Sequence, residues 1–128
     1  MYESHFREYT LIDLLKKQGV PMTAAFYARY SSENQREASI EFQRDEVSRF
    51  ANANGIEVVS EYIDRAKSAK SGERDSFQKM INDSKTGEFR IVLVYKYDRF
   101  FREQDESGHY QYLLKRNKVA LYSVTEPF

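Results

Sequence analysis

Cysteine is missing from all 128 residues, which excludes disulfides and thiolate metal sites. A reducing cytoplasm suits such a chain. No apolar run approaches the roughly 20 residues that a membrane-spanning helix needs. The first eight residues, Met1 to Glu8, are mixed in charge and lack the apolar stretch of a secretory signal. The expectation is a soluble, cytoplasmic protein with no membrane partner. A surplus of charge is also lacking, because 20 Lys and Arg cancel 20 Asp and Glu. Autonomous binders of nucleic acid carry a basic excess that releases counterions from phosphates, so a neutral domain would hold DNA poorly by itself. There is no glycine-rich phosphate loop and no carboxylate cluster of the kind Mg²⁺ wants. Internal repeats and low-complexity stretches are absent as well. Tryptophan is missing, whereas tyrosine and phenylalanine number 10 and 9. These aromatics read first as filling for the core and interfaces, since stacking on bases calls for a basic groove beside them.

What is present divides into an extension and one domain. Over residues 1–22, Phe6, Tyr9, Ile12 and Leu15 recur at helical spacing beside Leu11 and Leu14, and Gly19 and Pro21 end the pattern. A short amphipathic helix lying on the domain or on a partner is expected there, with disorder as the alternative. From Thr23 the rhythm changes. Ala24 to Ala28 reads as a buried strand, and residues 36–53 as a helix with Ile40, Val47, Phe50 and Ala51 on one face, stopped by Asn54-Gly55. Ile56 to Ile63 is a second strand, and 65–73 a polar loop. Arg74 to Ser84 forms a helix that buries Phe77, Met80 and Ile81. Arg90 to Tyr95 is the third strand, β-branched and nearly continuous. A long helix from Arg99 to Asn117 turns Tyr110, Leu113 and Leu114 inward, and Val119 to Val124 is the fourth strand. Strands alternating with helices predict a mostly parallel sheet of four to five strands with helices on both faces, a three-layer α/β/α domain over 23–128.

Open parallel sheets bind ligands beyond the carboxyl ends of their strands. Three segments reach that edge: Arg29-Tyr30-Ser31-Ser32 after strand one, Glu73-Arg74 after the polar loop, and Tyr95 to Arg102 after strand three. Each brings arginine. Clustered Arg29, Arg74, Arg99 and Arg102 repel one another unless an anion sits among them, and the guanidinium fork matches phosphate oxygens. Arg99 and Arg102 are three apart on a helix, so they share a face, and they sit at its N-terminus, where backbone N–H groups favour an anion. Taken singly, each arginine could equally be a solvated partner of a carboxylate, and Asp98 could pair with one of them. His5 and His109 fall away from this edge. Ser31 and Ser32 lie beside Arg29, and a serine hydroxyl needs activation that nearby arginines would supply. A loop serine is ordinarily turn chemistry, so the residues alone do not make Ser31 a nucleophile.

Tyr27-Ala28-Arg29-Tyr30-Ser31-Ser32, followed by Gln35, Ser39 and Gln43, resembles the opening signature of the serine recombinase (resolvase/invertase) family. Glu73-Arg74 and Tyr97-Asp98-Arg99-Phe100-Phe101-Arg102 resemble its second and third blocks, in the family's order. The likeness covers about residues 23–126. It implies the resolvase-like (flavodoxin-like) fold and site-specific DNA recombination through a 5′-phosphoserine intermediate. By it Ser31 is the nucleophile, Arg29, Arg74, Arg99 and Arg102 bind phosphate, Asp98 is the active-site aspartate, and Gln35 and Gln43 are substrate-side polar residues. It implies no cofactor and no metal. The partners it implies are DNA, gripped through a C-terminal region not included in this chain, and further copies of the chain as a homodimer and a synaptic homotetramer. Ser123-Val124-Thr125-Glu126-Pro127 is most similar to the large serine recombinases of the integrase and transposon type. The chain departs from the family's pattern at Asp75, where proline is frequent, at Phe101, where a small residue is common, and in the length of 1–22. Two other readings fit the residues: an inactive recombinase-like assembly module, and a different phosphate-ester enzyme on a flavodoxin-like sheet.

Overall fold

The computed structural model describes residues 15–19, 21–30, 37–65, 74–100 and 104–126. Its elements are β1 (Thr23–Arg29), α1 (Glu37–Ala53), β2 (Glu57–Asp64), α2 (Asp75–Asp83) with a 3₁₀ turn at Ser84–Thr86, β3 (Ile91–Val94), α3 (Tyr97–Phe100), α4 (Gln104–Arg116) and β4 (Ala120–Ser123). The four strands form one sheet in the order β2-β1-β3-β4, and every pairing is parallel. Among the described residues no helix is long and apolar enough to cross a membrane.

β1 is flanked on both edges, and its run Ala24-Ala25-Phe26-Tyr27-Ala28 is fully buried. A central strand covered on both faces needs no polar alternation, which is why this segment reads as a continuous apolar run. Its side chains still alternate in destination. Ala25 and Tyr27 join Val92 and Val94 in a cluster with Phe77, Met80 and Ile81 of α2 and Leu114 of α4. Ala24, Phe26 and Ala28 join Ile91 and Leu93 in a second cluster with Ile40, Val47 and Ala51 of α1. The two-residue period of the strands thus sends successive residues to opposite helical layers, giving the α/β/α architecture that the alternation of elements predicts.

The end of α1 follows the sequence signal. Asn54 donates from its side chain to the Phe50 carbonyl at 2.9 Å, and Gly55 takes φ of +69°, the left-handed conformation that glycine accepts without strain. Residues 15–17 are helical, Gly19 turns out of that helix at φ +72°, and Leu15 packs against the α1-side cluster.

The helix expected from Arg99 to Asn117 is described in two pieces, α3 and α4, and residues 101–103 between them lie outside the described residues. The carbonyl groups of Asp98, Arg99 and Phe100 accept from side chains of Arg29 and Arg74. Arg99 lies within α3.

Candidate active site at the carboxyl edge of the sheet

β1 delivers Arg29 to the sheet edge, where its Nη2 donates to the Asp98 carbonyl at 2.6 Å and its Nε to the Arg99 carbonyl at 3.2 Å. Arg74 precedes α2 and is buried, with only 7% of its surface exposed. Its Nη2 donates to the carbonyls of Arg99 at 3.1 Å and Phe100 at 2.8 Å. A single oxygen, the Arg99 carbonyl, thus receives both guanidinium groups. Burial weakens the hold of Arg29 on its proton, and the positive charge of Arg74 adds to that.

Arg74 is fixed from behind as well. Its guanidinium carbon lies 3.8 Å from the centre of the Phe77 ring and 5.5 Å from that of Tyr27. Its Nε donates to the Tyr27 hydroxyl at 3.3 Å, and that hydroxyl donates to Asp64 Oδ2 at 2.7 Å. Asp64 closes β2 and also caps α2, accepting from the backbone N–H groups of Ser76 at 2.9 Å and Phe77 at 3.1 Å. These are orphan donors of a helix start, and a carboxylate suits the positive end of the helix. Two strand ends and one helix start are thereby tied into one hydrogen-bonded unit around Arg74.

Asp98 is largely exposed and pairs with Arg99, Oδ1 to Nη1 at 2.7 Å. The Arg99 Nε is buried without a partner. Gln43 on α1 is buried, and its Nε2 donates to the Arg29 carbonyl at 3.4 Å and to Ser39 Oγ at 3.3 Å, while its Oε1 has no partner. The structure thus gathers Arg29, Arg74, Asp98, Arg99 and Gln43 at one rim. Ser31, Gln35 and Arg102 lie outside the described residues. His109 is exposed on α4. Among the described residues no group of three or more His, Asp or Glu side chains is placed to hold a metal ion.

The arrangement is a partly dehydrated, convergent set of cations in which Arg29 and Arg74 donate to neutral carbonyl dipoles. An anion with several oxygens could take over those donors, because charge-assisted hydrogen bonds are about twice as strong as neutral ones. Tyr27 and Asp64, which set the position of Arg74, escape a reading of the sequence by pattern. Tyr27 counts there as core filling, although it is the only residue of the Ala24–Ala28 run with a polar tip. Asp64 falls between the expected second strand and the polar loop, ten positions before Arg74, and nothing local marks it as a partner of that helix.

The two buried tyrosine hydroxyls make a pH prediction. Tyr62 donates to Asp83 Oδ2 at 2.8 Å and its pKa is pushed up from 10.0 to about 12, by burial first and then by Asp83. Tyr27 is raised as well, by burial first, with Arg74 opposing and Asp64 adding. In both cases the folded protein keeps a proton that the unfolded chain releases. The stability they contribute is complete below pH 10; that of Tyr62 is lost as pH rises through about 12, and that of Tyr27 at still higher pH. Thermal melts between about pH 9 and 12 should show a declining Tm, with a shallower decline in Tyr62→Phe.

The chain is similar to a known family and to several solved structures. The sequence profile of the family described as "Resolvase, N terminal domain" matches residues 24–128. The N-terminal catalytic domain of TP901-1 integrase is 32% identical, with a TM-score of 0.71 over 83% of this chain and 79% of that one. A resolvase family site-specific recombinase from Streptococcus pneumoniae is also 32% identical, with a TM-score of 0.74 over 84% of this chain and 74% of the other. The C-terminal catalytic domain of ISC1926 TnpA, an IS607-like serine recombinase, is 28% identical with a TM-score of 0.68, covering 80% of this chain and 67% of its own. No curated protein matches the chain. With its parallel four-stranded sheet, its arginine-lined edge and a profile match over nearly the whole domain, the chain belongs to the resolvase N-terminal domain family, the class of serine recombinase catalytic domains.

Proposed function

We propose that this domain catalyses site-specific DNA recombination with Ser31 as its nucleophile. The observation that carries the reading is the meeting of Arg29 and Arg74, 45 positions apart in sequence, on the carbonyl of Arg99. In a family whose members include the TP901-1 integrase catalytic domain, such a cationic rim two residues from a serine fits a phosphodiester.

In the proposed reaction the Ser31 oxygen forms a bond to a DNA phosphorus and loses its proton. The bond from phosphorus to the 3′ oxygen breaks, and that oxygen takes up a proton to become a 3′-hydroxyl. The phosphate stays on the protein as a 5′-phosphoserine ester. After exchange of strands, a 3′-hydroxyl attacks this ester and returns the serine, so the energy of the diester is conserved and no cofactor is consumed. Arg29 and Arg74 trade their carbonyl partners for phosphate oxygens, joined by Arg99 and Arg102, and thereby hold the extra negative charge at phosphorus. Asp98 keeps Arg99 in place or accepts the serine proton. Gln43 steadies the Arg29 backbone, and Gln35 completes the polar surround of Ser31. The balanced charge of the domain fits a reaction that borrows its grip on DNA from another region and from further copies in a synaptic tetramer.

The test is a trapped adduct. With a nicked suicide substrate, the protein should form a covalent complex with DNA, and proteolysis followed by mass spectrometry should find the nucleotide on Ser31. An adduct mapped to any other residue, or one that persists in Ser31→Ala, removes Ser31 from the mechanism.

A further inference from the structure

The turn bearing Asp98 and Arg99 is held on its other side by residues the proposed reaction does not use. After β4 the chain folds onto the exit of β3. Val124 N–H donates to the Val94 carbonyl at 2.9 Å, and the Tyr95 carbonyl accepts from Thr125 N–H at 3.3 Å and Thr125 Oγ1 at 2.8 Å. Glu126 then turns back. Its Oε1 accepts from the Tyr97 backbone N–H at 2.6 Å and from Ser123 Oγ at 2.9 Å. Ser123 is buried, and its oxygen accepts in turn from Glu126 N–H at 3.3 Å. The serine has a single proton, and the shorter contact to Glu126 is favoured over its 3.3 Å contact to the Tyr95 carbonyl. Ser123 therefore aims the carboxylate at Tyr97.

We infer that Glu126 is a positioning residue for the arginine site: its carboxylate fixes the first residue of α3, and through it the three carbonyl groups on which Arg29 and Arg74 dock. Contacts from other elements hold α3 on both sides. At its start the Tyr97 N–H, which no helix partner can satisfy, meets a carboxylate in a charge-assisted bond. Toward its end the carbonyls of Asp98, Arg99 and Phe100 receive the two arginines. The turn is thus strung between Glu126 and the guanidinium groups, and a change at Glu126 reaches the site through three residues of backbone. The segment leaving β4 is thereby coupled to the arginines.

The structural part of this inference stands on these contacts, and its consequence for cleavage rests on the function proposed above. Two measurements separate them. In ¹H–¹⁵N spectra the Nε–H signals of Arg29 and Arg74 should move in Glu126→Ala, return toward their original places in Glu126→Gln, which keeps an oxygen acceptor, and stay unmoved in Thr86→Ala. In single-turnover cleavage at saturating DNA, Glu126→Ala should be slower by about tenfold or more, as for other small misplacements of reacting groups. Glu126→Gln should recover most of that rate, with DNA affinity unchanged in both. If the unaltered protein forms no adduct at Ser31, the functional reading fails while the spectra still decide the role of Glu126. Unmoved arginine signals in Glu126→Ala overturn the inference, as does a loss that Glu126→Gln fails to recover. Should Glu126→Ala not fold, Ser123→Ala removes the group that aims the carboxylate and must shift the same two signals.

Discussion

Replacing Arg74 with alanine is expected to slow strand cleavage by about 10²–10³-fold, the loss of ~2.7–4 kcal/mol that follows removal of a donor from an oxyanion-stabilising site. Arg74 is the most enclosed of the described arginines, gripped by the Tyr27 hydroxyl, two carbonyls and the face of Phe77. That enclosure fixes the direction of its donors before any substrate arrives, so little of the donor's effect is spent on ordering the side chain. Arg74→Lys should recover little of the rate. A lysine ammonium keeps the charge but cannot present a planar fork to Tyr27, Arg99 and Phe100 together. Alanine also removes the hydrogen bond from Arg74 Nη2 to the Phe100 carbonyl, and a hydrogen bond to a charged group contributes about 1.5–3 kcal/mol. Relief of the repulsion between Arg74 and Arg29 offsets part of this, so Tm should fall less than cleavage does. Single-turnover cleavage of a suicide substrate and thermal melts of both variants measure the two effects. A lysine variant that cleaves at the unaltered rate would show that charge alone matters and that the fork geometry does not.

The layered architecture is legible in the sequence because its cause is local. β1 and β3 are central strands, so every residue of Ala24–Ala28 and Ile91–Val94 is apolar, and the helices between them carry their own stop signals at Asn54-Gly55 and Gly87. The gathering of Arg29, Arg74 and the Asp98–Arg99 turn follows from the same cause, since parallel strands put all their carboxyl ends on one edge. What escapes is settled by partners distant in sequence. Nothing near Asp64 marks it as the cap of a helix eleven positions on, and nothing near Gln43 marks it as a buried residue among apolar neighbours. Of the four arginines expected to converge, Arg29, Arg74 and Arg99 meet at one rim, where Arg29 and Arg74 donate to backbone carbonyls, and Arg102 lies outside the described residues.

Phe77→Ala should destabilise the fold by about 3–5 kcal/mol, the usual cost of emptying a buried aromatic position. For a domain of this size that is a drop in Tm on the order of 15–30 °C. The Phe77 ring has no exposed surface and meets Tyr27, Phe100 and Tyr110 edge to face, with centroids 5.4, 5.0 and 4.9 Å away. Those three rings belong to β1, α3 and α4, so one side chain joins α2 to every element on that face of the sheet that meets the arginine rim. The same ring is the floor under Arg74, 3.8 Å from its guanidinium carbon. A cation over an aromatic face gains about 0.5–1 kcal/mol when exposed and about 2 kcal/mol when desolvated, as here. Alanine removes both roles at once and cannot tell them apart. Leucine fills most of the volume at a cost of roughly 1.5 kcal/mol or less but offers no π face. Phe77→Leu should therefore remain folded at 25 °C and still lose cleavage, because Arg74 is no longer held flat against its platform. If Phe77→Leu cleaves as fast as the unaltered protein while melting lower, the ring serves packing alone, and Arg74 is positioned entirely by Tyr27 and the carbonyls of α3.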